Sequence, residues 1–333
     1  MEQTTTVPQE GSIDFATKYF VKPEEKPVMV RIQQALYNPK TGSILGRTPY
    51  LWGRVLLFYL IFYSCLAGLF SAMMKGLLHT IDETQPKYIL EESLIGVSPG
   101  LGYRPMSIKY KLDSSLIRYV AQSRNNTVNW VDEIEEFLDE YKHPEKLPGN
   151  GKNLQTCSHD NPPKAGNVCS FELIGFEQCT GESGYGYNAS NPCFFIKLNK
   201  IYGWVPEYYS PSELPEKMPD SLKEVIKSSV ESDPSSINTV WLSCDGEGPA
   251  DKDHIGPVSY YPKQGFPGYY YPYKNTPGYL SPLVAVQFKN PKKNVIINVE
   301  CRAWAKNIVF QRKNQLGSCH FELMIDEPVV FRH

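Results

Sequence analysis

Residues 55–74 read VLLFYLIFYSCLAGLFSAMM, 20 residues without a charge, closed by Arg54 on one side and Lys75 on the other. At about 1.5 Å per residue such a helix is roughly 30 Å long, the thickness of a bilayer's hydrocarbon core. No other run in the chain approaches this length. It predicts a single membrane crossing rather than a buried helix of a soluble core. A cleaved signal peptide fails on position, because 54 residues precede the run. It also fails on length, since signal cores hold about 7–15 apolar residues. The segment reads as an uncleaved signal-anchor.

Flanking charge predicts the orientation. Residues 35–54 hold Lys40, Arg47 and Arg54 and no acid, whereas residues 76–95 hold Lys87 against Asp82, Glu83, Glu91 and Glu92. Basic flanks stay in the cytoplasm. The expected layout is a cytoplasmic tail (1–54), a span (55–75, extending toward 81) and an extracellular disulfide-bonded domain (76–333). Within the span, Ser64, Gly68, Ala72 and Gly76 recur every four residues, a face that lets another helix approach closely. Tyr59 and Tyr63 form a second stripe, and a hydroxyl at that depth needs a hydrogen-bond partner.

Cysteine usage agrees with this layout. Cys65 lies in the span and is expected to stay free. The other seven, Cys157, Cys169, Cys179, Cys193, Cys244, Cys301 and Cys319, all follow it, as an oxidising exterior would produce. No C-x-x-C occurs, which disfavours a zinc site. Three bridges among seven cysteines leave about a hundred pairings open. Cys157/Cys169 and Cys179/Cys193 are close in sequence and flank Pro-, Gly- and Asn-rich loops. Cys244 and Cys301 sit on separate alternating strands, which suits a bridge between sheets. Cys319 alternates with Phe321, Leu323 and Ile325 and reads as a buried free thiol. The sequons at Asn125 and Asn188 both fall after the span and are glycosylation candidates.

The exterior part reads as mainly β. FELIGF (171–176), CFFIKL (193–198), TVWLSC (239–244), PLVAVQF (282–288), NVIINVECRAWA (294–305) and CHFELMI (319–325) are short β-branched and aromatic runs bounded by turn residues. This pattern predicts an antiparallel sandwich. Residues 130–142 (WVDEIEEFLDEYK) predict an amphipathic helix capped by Asn129, and residues 221–229 a shorter one. Pro257, Pro262, Pro267, Pro272, Pro277 and Pro282 recur every five residues among seven tyrosines. That stretch reads equally as a loop packed on its own sandwich or as a docking surface.

Chemistry is not visible. The chain has no P-loop, no G-x-S-x-G, no H-E-x-x-H and scattered histidines. The acidic run DGEGPADKD (245–253) lacks EF-hand order and reads as a solvated hairpin loop. A net charge of −2 gives no basic face for nucleic acid. No enzyme, cofactor or metal is expected.

Several motifs together point further. LGRT (45–48), FYLIFYSCLAG (58–68), CSFELIGFEQCTG (169–181), PCFFIKLNKIYGW (192–204), GFPGYYYPY (265–273), YLSPLVAVQF (279–288) and VECRAWAKNI (299–308) occur in one order. This set resembles the β-subunit family of the sodium/potassium- and proton/potassium-transporting P-type ATPases, from about residue 35 onward. The resemblance implies a type II plasma-membrane glycoprotein with one transmembrane helix and an immunoglobulin-like sandwich outside. It implies bridges Cys157–Cys169, Cys179–Cys193 and Cys244–Cys301, with no counterpart for Cys319. It implies a non-catalytic subunit paired with a large ATP-hydrolysing α subunit, open to a small third subunit, that assists α folding, membrane delivery and potassium handling. The contacts implied on this chain are Tyr59, Phe62, Tyr63 and Gly68 in the span, and Tyr270, Tyr271, Tyr273, Val286 and Phe288 outside. Sodium/potassium pumping is favoured over proton/potassium pumping. A cell-surface adhesion glycoprotein of the same fold is the competing function, because fold does not dictate function.

Overall fold

The computed structural model describes residues 27–328 apart from 40, 83, 95, 107–114 and 315. Residues 1–26 of the expected tail lie outside the described residues. The chain forms two compact units, Met1–Ile81 and Asp82–His333.

In the first unit, helix α1 (Val28–Leu36) leads into a hairpin of β1 (Tyr37–Asn38) and β2 (Ser43–Ile44), followed by α2 (Pro49–His79). Pro49 sits in the first turn of α2, where its missing N–H costs nothing. At 31 residues α2 outruns the apolar core by a turn or more at each end. None of its side chains is buried, and it is long and apolar enough to cross a membrane.

In the second unit the strands are β3 (Leu101–Arg104), β4 (Leu116–Val120), β5 (Leu154–Gln155), β6 (Val168–Cys169), β7 (Cys193–Leu198), β8 (Thr239–Gly246), β9 (Val258–Tyr261), β10 (Gly265–Pro267), β11 (Leu283–Phe288), β12 (Ile296–Trp304) and β13 (Ser318–Asp326). One sheet has the order β10-β8-β12-β13-β4 and the other β3-β7-β11-β9. They face each other across a core in which Phe321 of the first sheet stacks on Phe194 of the second at 4.4 Å, with Phe288 5.5 Å from Phe194. Along β13 buried and half-buried residues alternate, as a strand with one inward face requires.

The sandwich is not wholly antiparallel. Edge strand β4 runs parallel to β13, pairing Ile117 with Leu323 and Tyr119 with Ile325. The two strands lie some 200 residues apart in sequence, roughly the reverse of a tight hairpin, so no short turn dictates their direction. The expected strand 171–176 is absent, and Gly175 there has φ +78°. Phe171 and Phe176 instead face the core as loop residues, held between two disulfides.

Helix α3 (Arg124–Lys142) begins six residues earlier than the pattern from 130 suggested. Its buried stripe is Thr127, Trp130, Ile134, Leu138 and Tyr141, so Thr127 continues the same face one turn back, and Asn129 lies inside the helix. Helix α4 (Asp220–Ser232) places Leu222 and Ile226 with Met218 against Trp241 and Trp304, covering the outer face of the five-stranded sheet. The acidic run carries a helix rather than a hairpin loop, α5 (Pro249–Ile255). There Asp251 accepts hydrogen bonds from the Gly248 and Asn298 backbone N–H groups at 3.0 Å each. Burial raises its pKa, but those bonds outweigh burial and hold the carboxyl below its ordinary value.

Candidate interaction surface

Disulfides brace the elements that carry the tyrosine-rich strap. Bridges join Cys157 to Cys169, Cys179 to Cys193 and Cys244 to Cys301. The last one differs from the expected inter-sheet bridge. Cys244 on β8 and Cys301 on β12 are directly opposite in adjacent strands of one sheet, with Cα atoms 4.0 Å apart. Two alternating strands with inward cysteines fit either arrangement, and only the strand order distinguishes them. Cys319 is a buried free thiol and Cys65 an exposed one. Burial pushes the Cys319 thiol up to about 12.

The strap, residues 257–282, divides into tyrosines that support the fold and tyrosines at the rim. Tyr260 Oη accepts from Cys244 N at 2.8 Å and so ties β9 of one sheet to β8 of the other beside the disulfide. Tyr270 is 7% exposed and donates to Ser170 O at 2.9 Å. Tyr271 meets Trp204 edge-on at 5.6 Å. Tyr271 Oη and Trp204 Nε1 are both buried with no hydrogen-bond partner among the described residues. Burial raises the hydroxyl pKa of Tyr270 and Tyr271 well above the tyrosine range. Gly268 makes this close packing feasible, because a Cβ there would lie 2.0 Å from Tyr208 Oη and 2.7 Å from Asn238 O.

Tyr273 is placed differently. It is half-buried, 4.9 Å from Tyr279, and donates to Asn275 Oδ1 at 2.9 Å. Lys200 Nζ lies 5.4 Å from the Tyr273 ring and 5.2 Å from Tyr279, and burial lowers its pKa. Tyr202 adjoins Tyr273 at 6.5 Å. Tyr202, Tyr273, Tyr279 and Lys200 thus form a cation–aromatic rim beside exposed Lys274 and Asn275. Of these, Lys200 and Tyr202 belong to the run PCFFIKLNKIYGW, and composition gave no reason to pair them with the strap.

Three of the expected contact residues are buried within the domain. Val286 and Phe288 are 0% exposed, and Tyr270 is nearly so. β11 lies inside its sheet between β7 and β9, and all six of its residues are buried. These side chains complete the domain's own core. The span residues are the opposite case. Tyr59, Phe62 and Tyr63 are about half exposed along α2, with Tyr59 and Tyr63 rings stacked at 5.9 Å. A Cβ on Gly68 would meet nothing within 4 Å. Nine residues at about 100° each put Gly68 roughly opposite Tyr59, so the helix has an aromatic face and a small-residue face.

Among the described residues no group of three or more His, Cys, Asp or Glu is placed to hold a metal ion. Three carboxylates of the acidic run have structural partners: Asp245 pairs with Lys252, Glu247 with Arg312 and His320, and Asp251 with the Gly248 and Asn298 backbone.

The family model described as "Sodium / potassium ATPase beta chain" matches residues 22–321. The chain belongs to the sodium/potassium ATPase beta-chain family. A "Sodium/potassium-transporting ATPase subunit beta-2" of Drosophila melanogaster is 46% identical over 318 residues, covering 95% of this chain and 98% of that protein. A "Sodium/potassium-transporting ATPase subunit beta-1" of the same organism is 42% identical over 309 residues, covering 92% and 96%. The subunit beta-1 of Tetronarce californica is 30% identical over 308 residues, covering 87% and 94%. As in a membrane-anchored accessory chain, the beta chain described here joins one apolar helix to a mainly-β domain braced by three disulfides.

Proposed function

We propose that this beta chain is the accessory subunit of a sodium/potassium-transporting ATPase, without chemistry of its own, and that it holds a catalytic α subunit through its span and its tyrosine rim. The observation that carries the reading is α2, a 31-residue apolar helix with no side chain buried and two dissimilar faces. In lipid the hydrophobic effect does not drive helices together, so association depends on close packing and hydrogen bonds. The Tyr59/Tyr63 hydroxyls and the Gly68 face supply both. A small third subunit enters this reading only as a further helix of the same assembly.

The tail faces the cytoplasm and the sandwich faces the cell exterior, at the plasma membrane. The charge asymmetry across the span and the confinement of the bridges to residues after it support that orientation. Asn125 and Asn188 are both exposed and carry glycans in this reading. The rim of Tyr202, Tyr273, Tyr279 and Lys200 meets an extracellular α segment, so the beta chain supports α folding, delivery and potassium handling from outside.

Pull-down of tagged chain from detergent-solubilised membranes tests this. Wild type is expected to bring down a P-type ATPase α subunit, and Tyr59→Leu combined with Tyr63→Leu to recover several-fold less at equal expression. Recovery of no ATPase from cells that express one would reject the reading.

A further inference from the structure

We propose that α1 and the β1–β2 hairpin form a collar that lies on the anionic lipid surface of the leaflet where the span begins. At about 100° per residue Val28, Met29, Ile32 and Leu36 fall on one face of α1, with Gln33 at its edge and Gln34 opposite it. All four are exposed, from 51% at Ile32 to 80% at Met29. A helix with this much uncovered apolar side chain needs an apolar surface to lie against.

The hydrogen bonding places that surface. Leu45 N donates to Leu36 O at 3.1 Å, which ties the end of α1 to the hairpin. Trp52 Nε1 donates to Ile44 O at 2.8 Å, which ties the hairpin to the first turn of α2. Arg47 lies 5.7 Å over the Trp52 ring. The collar is therefore held where the span leaves the hydrocarbon, at the level where Trp and Tyr side chains such as Trp52 and Tyr50 settle. Ile44 and Leu45 are also exposed and extend the apolar surface of α1.

Charge selects the kind of lipid. From residue 27 to residue 54, before the apolar run of the span, the chain contains no Asp or Glu, while Arg31, Lys40, Arg47 and Arg54 are all basic. A short amphipathic helix with one apolar face holds a membrane weakly by area alone, and basic residues near an anionic headgroup layer add to it. In the cell this leaflet is the cytoplasmic one, which rests on the orientation proposed above.

The test uses the full-length chain in nanodiscs of phosphatidylcholine alone and of phosphatidylcholine with phosphatidylserine, read by hydrogen–deuterium exchange of residues 28–36. Such discs have the same lipid on both sides, so the result does not depend on which way the chain is inserted. Exchange is expected to slow roughly tenfold when phosphatidylserine is present. Met29→Ser combined with Ile32→Glu should abolish the slowing, and Arg47→Gln should weaken it. These side chains are exposed, so the exterior domain serves as an internal control for folding. Equal exchange in both lipids, or slowing seen only when an α subunit is co-reconstituted, would overturn the collar. Separately, α pull-down with the same double variant reports on the accessory-subunit reading, which does not require lipid contact by α1.

Discussion

Thr127 Oγ1 lies 2.9 Å from Asn188 Oδ1, and each residue belongs to a different N-x-S/T sequon. Thr127 is 1% exposed on the buried face of α3, while Asn125 and Asn188 are exposed. The same threonine therefore serves the first sequon as a recognition residue and the fold as a hydrogen-bond donor. Asn125→Gln should remove one glycan with little change in thermal stability. Thr127→Ala should remove the same glycan and also cost about 1 kcal/mol, because it deletes the hydrogen bond that the buried hydroxyl donates to Asn188. Gel mobility with and without glycosidase, alongside thermal unfolding, separates the two. Identical unfolding of both variants would contradict the donor role.

Cys319 stands directly opposite Cys301, which on its other side stands opposite Cys244. Directly paired residues share a face of the sheet, with Cα atoms about 4.5–5.5 Å apart, inside the range a disulfide spans. Cys244→Ser should therefore yield a Cys301–Cys319 bridge in place of the native one. Mass spectrometry of a non-reduced digest would show it, and recovery of both cysteines as free thiols would refute the expectation.

Tyr271 and Tyr273 should behave oppositely although one residue separates them. Tyr271→Ala should destabilise the domain by about 3 kcal/mol, since it empties a packed site against Trp204. Tyr271→Phe should be neutral or slightly stabilising, because the hydroxyl it removes has no partner among the described residues. Tyr273→Ala should leave thermal unfolding nearly unchanged and lower α recovery in pull-down. Loss of stability in Tyr273→Ala without loss of α would reassign the rim to the fold.

Alkaline pH should unfold this domain earlier than its disulfides suggest. Burial pushes Tyr103 and Tyr208 up to about 12, above the ordinary tyrosine value near 10. Cys319 is raised to about 12 by the same cause. These groups keep their protons longer when folded than when unfolded. Their contribution is complete below the unfolded values and falls as pH climbs toward the folded ones. Denaturant midpoints measured from neutral pH upward should decline once pH passes about 9–10. A flat profile to pH 12 would contradict the burial of these groups.

Much of the fold of the second unit was legible as pattern. Five of the six expected strands are present, because alternation such as Phe321, Leu323 and Ile325 records a strand with one face in the core. FELIGF misled because its aromatic residues are needed in the core while its backbone turns at Gly175 between two bridges. The start of α3 was missed because Thr127, a polar residue, occupies a buried position of the helical stripe.

The sequence alone determined that one apolar helix precedes a cysteine-bridged β domain, and which positions are apolar. Length, charge flanks and period-two alternation are local properties, so they survive without coordinates. Which tyrosines face inward was decided only by tertiary structure. Val286 and Phe288 are core residues because β11 ended up between β7 and β9 with both faces covered. Cys244 and Cys301 share a sheet because β8 and β12 became neighbours. Strand order joins residues far apart in the chain, and a pattern that repeats every two residues carries no information about which strand lies alongside.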